Sequence, residues 1–395
     1  MSPSSSRARF RCARTGPFIA LVPIVVASIC PHASASGIEA EVGLSYGQDS
    51  NPLELRGGGP SGVFTELEFS IHASPSRGSR LSLLADATGS RRWYESAAAD
   101  AGFGWSVIRA GIAAVPWRRG ASRFAILAGG SFESYRATLI DPDTGEVYEQ
   151  ISGAAKTVPV PDRLDHDGTG LFMDLRCQTG RSLMLYLDTE WLRRRYTRDY
   201  DGVPGLASLD DRSLSLEPGV RTRLSSWLLL DVSMRVDHRS YDELPALDEE
   251  AAEVPGEARS YDTTRWQAAL RAGPVRGWSF LAGHRMTDRS DAYAGYYDST
   301  GGGTLLSLSY SPVDATRMSL IVSSRSSSYP NALVDNNPNG ETREGSLIRY
   351  TGEFERELGG WTTLFASGGI ERSEDRDPAY VYDRRWMRAG LKLEI

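Results

Sequence analysis

Apolar residues recur at every second position along most of this chain. Over 63–73 one face carries Val63, Thr65, Leu67, Phe69, Ile71 and Ala73, while the other is mostly charged or polar. A period of two marks a strand whose two faces meet different surroundings. The alternation returns in Leu183, Leu185, Leu187 and Thr189 against Met184, Tyr186, Asp188 and Glu190. It returns again in Leu214, Leu216, Pro218, Val220 and Thr222 against Ser213, Ser215, Glu217, Arg221 and Arg223. A fourth copy sets Leu228, Leu230, Val232, Met234 and Val236 against Asp231, Ser233, Arg235 and Asp237. Turn signals between copies predict sixteen strands, at 37–47, 62–73, 80–95, 102–115, 122–137, 170–178, 181–197, 212–223, 227–241, 263–273, 278–289, 303–311, 316–327, 346–358, 361–373 and 384–395.

The connections sort by length. Every second one is short, as at 75–78, 118–120, 179–180, 225–226, 274–277, 312–314 and 359–360. The others are mostly longer and more polar, including 48–61, 138–169, 198–211, 242–262 and 328–345. A soluble β-sandwich has no reason to alternate loop lengths, and a propeller would show a blade repeat that is absent here. Aromatic residues sit at strand ends. Trp117, Trp227, Trp278, Tyr310 and Trp361 lie beside the short turns, and Trp93, Tyr135, Trp191, Tyr196, Tyr241 and Tyr329 near the long loops. Two belts of amphipathic rings at two membrane interfaces give this spacing. No apolar run after residue 35 is long enough for a membrane helix. Lipid offers backbone groups no hydrogen-bond partner, so a spanning sheet must close on itself. The expected fold class is therefore all-β: a single transmembrane antiparallel up-and-down β-barrel of about 16 strands (14–18), with short periplasmic turns and long outer loops. An arginine facing lipid at mid-depth costs roughly 2–4 kcal/mol, and these registers avoid it almost everywhere. The exception is the fourth strand, where Val107 and Arg109 share a face opposite Ile108, and either a bulge or a different register is expected.

Composition changes the picture in three places. The 395 residues carry a net charge of −7, and nearly all the positive charge is arginine, since Lys156 and Lys392 are the only lysines. The acidic balance excludes general nucleic-acid binding, which depends on phosphate neutralisation. The N-terminus has the parts of a signal peptide over 1–35: Arg7, Arg9, Arg11 and Arg14, an apolar stretch at 17–30, then Ala33-Ser34-Ala35. Its removal leaves Cys177 alone on the apolar face, so the mature 36–395 barrel holds no internal disulfide.

At the C-terminus, Arg388 is followed by Gly390 and then by the apolar Leu393 and Ile395. This spacing resembles the terminal signal by which bacterial outer-membrane β-barrels are recognised for assembly, although Ile395 stands where an aromatic is commonest. The segment 46–52 resembles the first-loop entry of such barrels. The resemblance covers 36–395 and is to the superfamily, porin-like and of about 16 strands, with no narrower family assigned. It implies an outer-membrane location, lipid around the barrel and the barrel-assembly machinery as a partner of the last strand.

Inward positions carry charge of both signs. Arg221, Arg223, Arg235, Arg239, Arg265, Arg271, Arg285 and Arg289 form an expected basic wall, and Glu39, Glu41, Glu66, Glu68, Glu353 and Glu355 an acidic one. The longest loop, 138–169, holds Asp141, Asp143, Glu146, Glu149, Asp162, Asp165 and Asp167 against Lys156 and Arg163. Its place after the fifth strand is similar to the loop that folds inward and narrows the channel of sixteen-stranded porins. The function expected is a passive porin-like channel for small polar or anionic solutes. Two alternatives stay open: a closed structural, assembly or secretion-associated barrel without conductance, and an outer-membrane lipid hydrolase.

Catalytic chemistry finds little support in the residues. Only His72, His166, His238 and His284 remain after signal cleavage. Asp237, His238 and Ser240 are neighbours, but consecutive strand residues point to opposite faces, which spoils a triad. Asp162, Asp165 and Asp167, with His166 among them, offer ligands for a hard divalent cation without the spacing of an EF-hand, and read as a solvated acidic loop. No catalytic residue, metal or cofactor is expected, and the oligomeric state is left open.

Overall fold

The structure is a computed structural model that describes residues 37–52, 61–74, 80–95, 102–136, 165–196, 208–248, 252–273, 275–313, 315–334, 340–377 and 380–394. Sixteen antiparallel strands close on one another. They are β1 (Ile38–Asp49), β2 (Gly62–Ala73), β3 (Leu81–Tyr94), β4 (Phe103–Arg119), β5 (Ser122–Arg136), β6 (His166–Thr179), β7 (Leu183–Tyr196) and β8 (Asp211–Ser225). The second half comprises β9 (Leu228–Leu247), β10 (Glu253–Ala272), β11 (Trp278–Asp291), β12 (Ser299–Val313), β13 (Thr316–Leu333), β14 (Thr342–Gly359), β15 (Thr362–Asp375) and β16 (Tyr382–Glu394). Each strand pairs with its sequence neighbours, and β1 pairs with β16 to complete the ring. Closure leaves no edge strand, so no row of ladder donors and acceptors stays open along the wall.

The alternation sets the two faces. Leu44, Leu171, Leu214, Met286, Leu320 and Met387 stand exposed on the outer wall, the highest at 64 % for Leu171. Ser45, Phe172 and Ser215 on the same strands, and Ser309 on β12, are buried toward the interior. On β9 the outward run from Leu228 to Val236 corresponds to about 20 Å along the membrane normal at a strand tilt of ~40°. Beside the short turns, Trp117, Trp227, Trp278 and Trp361 are exposed, and Trp278 stacks on Tyr310 at 4.4 Å between ring centroids. Gly120 and Gly180 turn the β4–β5 and β6–β7 hairpins with positive φ, a backbone state open to glycine at little cost.

Several expectations need correction. No bulge lies at Val107–Arg109: the β3–β4 ladder runs unbroken from Phe103 to Ala114, and the register shift falls between Ala114 and Trp117 on the β5 side. Val107 and Arg109 both face inward, which costs nothing in lipid. The segment 242–262 is mostly strand, not loop, because β9 and β10 continue as a paired hairpin to Leu247 and Glu253 with shifts near Ala258. The outer aromatic belt is also thinner than expected. Trp93 and Trp191 face outward, but Tyr135, Tyr196, Tyr241 and Tyr329 turn inward. Tyr196, Leu209, Tyr241, Leu244 and Tyr261 form one buried cluster at the outer mouth.

The lumen wall as candidate functional site

The interior surface divides into two kinds of territory. The first surrounds the seam where β1 meets β16. Asp49 is fully buried on β1; it receives the Arg384 guanidinium at 2.6 Å and the Tyr94 hydroxyl at 3.0 Å. Arg388 on β16 reaches past β1 to Glu66 at 2.6 Å and Glu68 at 2.7 Å on β2. Glu66 also takes Arg92 at 2.8 Å and Ser90 at 2.8 Å. Lys392 bridges Glu355 at 3.0 Å and Glu41 at 3.6 Å. The expected acidic wall is thus corrected. Glu41, Glu66, Glu68 and Glu355 are neutralised by cations from β3 and β16. Glu353 on β14 enters none of these pairs, and Glu39 has its own interaction.

The basic wall changes in the same way. Arg221 pairs with Asp231 at 2.6 Å, Arg235 with Asp237 at 2.7 Å and Arg239 with Asp211 at 2.7 Å. Arg223 is exposed beside a register shift at the short-turn end of β8. Arg109 reaches Glu190 at 2.9 Å and lies over the Phe172 ring. These pairs hold β4 to β9 in a continuous mesh, with His166 buried between Tyr135 and Tyr196 near Glu133 and Arg194.

The second territory is β10–β13. Its lumen-facing positions are Thr263, Arg265, Gln267, Ala269 and Arg271 on β10, then Leu281, Gly283, Arg285, Thr287, Arg289 and Asp291 on β11. On β12 they are Ser299, Gly301, Gly303, Leu305, Ser307 and Ser309, and on β13 Arg317, Ser319, Ile321, Ser323, Arg325, Ser327 and Tyr329. Asp291, buried at the outer rim, is the single carboxylate in that set. Arg265, Arg271, Arg285, Arg317 and Arg325 form no ion pair among the described residues. Arg289 lies over the Tyr261 ring. Five of the eight arginines expected in the basic wall are therefore paired, rim-placed or stacked. Arg265, Arg271 and Arg285 remain, and Arg317 and Arg325 join them. The last two escaped notice in the sequence because their strand is rich in serine and looks bland; register places them against β12.

The other sequence candidates fall as follows. Asp141, Asp143, Glu146, Glu149 and Asp162 lie outside the described residues, as do the signal segment and Ile395. Asp167 belongs to β6, faces outward and binds Arg136 at 2.8 Å, so it does not narrow the lumen; Asp165 immediately precedes that strand. Gly390 sits where β16 crosses β1, and a Cβ there would fall against the Leu44 carbonyl oxygen and Ser45. Arg388 and Gly390 thus build the seam whatever else reads them, and Leu393 is exposed on the outer wall. His238 faces outward, and its Nδ1 meets Asp262 on β10 at 2.8 Å, while Asp237 points inward. No hydrogen bond joins Ser240 to His238 among the described residues. His284 meets Thr304 at 3.1 Å on the outer wall, and His72 meets Asp86 inside. No cluster of His, Cys, Asp and Glu among the described residues is arranged to hold a metal ion, and Cys177 is a free thiol.

An apolar exterior, a charged interior and a closed ladder are now all in place. This is the fold of the outer-membrane β-barrels. No protein-family model matches the chain, and no curated protein matches it. Among solved structures it is similar to the outer-membrane expressed OmpT of Vibrio cholerae, at 8 % identity over 91 % of this chain and 98 % of that one, with a TM-score of 0.44. It is similar to an anion-selective porin from Comamonas acidovorans, at 9 % identity over 91 % and 98 %, TM-score 0.42. A BenF-like porin from Pseudomonas fluorescens Pf-5 shares 10 % identity over 91 % and 99 %, TM-score 0.45. The likeness concerns the course of the strands.

Proposed function

We propose that this barrel is a passive channel for small polar solutes in a bacterial outer membrane, reached by export on the N-terminal signal segment. The observation that carries this reading is the lining of arginine, serine and threonine across the inner faces of β10–β13, where Arg265, Arg271, Arg285, Arg317 and Arg325 form no ion pair among the described residues. Sixteen strands enclose more width than side chains alone occupy, and a lining of unpaired arginine and serine stays hydrated. A dry structural barrel would close such charges with partners, as the seam does, because an uncompensated buried charge costs several kcal/mol. No cofactor and no catalytic step enter this reading. Purified protein in planar lipid bilayers tests it: stepwise ion conductance is expected in potassium chloride, and a flat trace at every voltage refutes the channel. A closed structural or assembly-linked barrel is the reading that a flat trace would leave.

A further inference from the structure

Within that lining we infer a discrete oxyanion subsite formed by Arg265, Arg285 and Arg325, suited to small solutes with two negative charges such as dicarboxylates and phosphate esters. The inference rests on the channel reading for its route, but its geometry stands separately. Arg285 on β11 and Arg325 on β13 face each other across Gly303 on β12. Two interstrand steps separate their backbones, about 10 Å, and each guanidinium reaches far enough along its stem to converge on one anion. No side chain intervenes, because the lumen positions of β12 at that level are Gly301 and Gly303. Arg265 stands one step away on β10, diagonal to Arg285 and opposite Thr287. Its Nε is buried and lacks a hydrogen-bond partner.

Charge balance gives the cluster its chemistry. The groups that act electrostatically on Arg285 are Arg265 and Arg325, with no acid among them. The acids that reach Arg265 are Asp237 and Glu217, and Asp237 already accepts Arg235 at 2.7 Å. Three guanidinium groups therefore share a patch of wall reached by two carboxylates, Glu217 and the Asp237 already engaged by Arg235. A protein pays for such repulsion, and a divalent oxyanion relieves it. Guanidinium forks match carboxylate and phosphate oxygens two at a time, which favours these over chloride. Thr287, Ser323 and Ser327 supply hydroxyl donors on the same face. The seam shows the contrast: there each inward arginine already holds a carboxylate.

The test uses full-length purified protein in planar bilayers with inorganic phosphate and succinate as probes, together with calorimetric titration of phosphate into the detergent-solubilised protein. Either dianion is expected to reduce chloride current in a saturable way. Arg285→Gln with Arg325→Gln should raise the half-blocking concentration at least fivefold and move the reversal potential in a salt gradient toward cations. Arg285→Lys, which keeps the charge and loses the fork, should fall between. Arg343→Gln removes the same charge from a lumen arginine paired with Asp375 and should leave the block unchanged. Conductance with wild-type block in the double variant overturns the subsite while the channel stands. An equal loss of block in Arg343→Gln also overturns it, because general charge then explains the effect. If no variant conducts, the channel reading falls, and calorimetry decides the subsite: phosphate binding lost in the double variant supports it, and binding unchanged or absent in the wild type overturns it. If the double variant fails to show the heat-dependent gel shift of a folded barrel, the Arg285→Lys comparison carries the decision.

Discussion

The seam between β16 and β1 and the sector β10–β13 are built from the same residue types to opposite ends. At the seam, Arg384, Arg388 and Lys392 each meet carboxylates from a neighbouring or next-but-one strand. In the sector, Arg265 lies opposite Arg235 and Thr287, Arg285 opposite Gln267 and Gly303, and Arg325 opposite Gly303 and Leu347, with no carboxylate among these neighbours. The ring must close through nine paired positions, from Glu41–Glu394 to Asp49–Trp386, between the two ends of the chain. Cross-strand ion pairs fix that register, since a slip by one residue would turn every side chain to the wrong face. The sector joins strands that follow one another in sequence, so its hairpins already set the register and its charges are spared for other work.

Substitutions at the seam should have the largest effect. Asp49→Ala leaves Arg384 buried without its partner and removes the acceptor of Tyr94, so a loss of about 3–5 kcal/mol is expected, read as a fall in the urea midpoint of unfolding in lipid vesicles. A midpoint within error of the wild type would show that the seam pairs do not hold the ring. Gly390→Val comes next. A branched side chain pressed against the Leu44 carbonyl forces the strands apart, for roughly 1–3 kcal/mol, with slower appearance of the folded band during refolding. Normal refolding would mean that β1 yields at little cost.

In the sector the expected sign differs. Arg285→Gln relieves like-charge repulsion and breaks no bond, so stability should stay within about 0.5 kcal/mol of the wild type or rise. A clear destabilisation would reveal a structural partner for Arg285. A small loss is expected for Arg221→Gln, whose pair with Asp231 is part-exposed in the lumen, at about 0–1 kcal/mol. Raising the salt concentration in bilayer recordings should erase anion preference while leaving conductance steps intact, because the unpaired charges face water and are screened. Preference that survives molar salt would place the selective groups out of water's reach.

Much of the fold was legible because each membrane-facing strand must present apolar side chains to lipid. All sixteen expected strands are present, and the registers of β2, β7, β8 and β9 put Glu66, Tyr186, Ser215 and Ser233 inside as the alternation required. Legibility ended where lipid ends. Beyond the bilayer both faces of a strand meet water or protein, the alternation fades, and so the continuation of β9 to Leu247 and of β10 back to Glu253 looked like a loop. The inward turn of Tyr196 and Tyr241 has the same origin, since an aromatic near a strand end suits either an interface or a packed mouth.

The amino-acid order alone determined that this chain is a closed, two-faced sheet, because a period of two permits one stable arrangement in lipid. Within the lipid-facing stretch of each strand it determined which residues face inward, since parity along a strand decides that. Which arginines are spent on structure and which stay free was settled only by the tertiary arrangement. Asp231 neutralises Arg221 across a hairpin, Glu66 neutralises Arg388 across the seam, and Gly303 offers Arg285 and Arg325 nothing. Those outcomes depend on stagger between strands, and the distance over which a charge finds its partner is measured through the lumen, not along the chain.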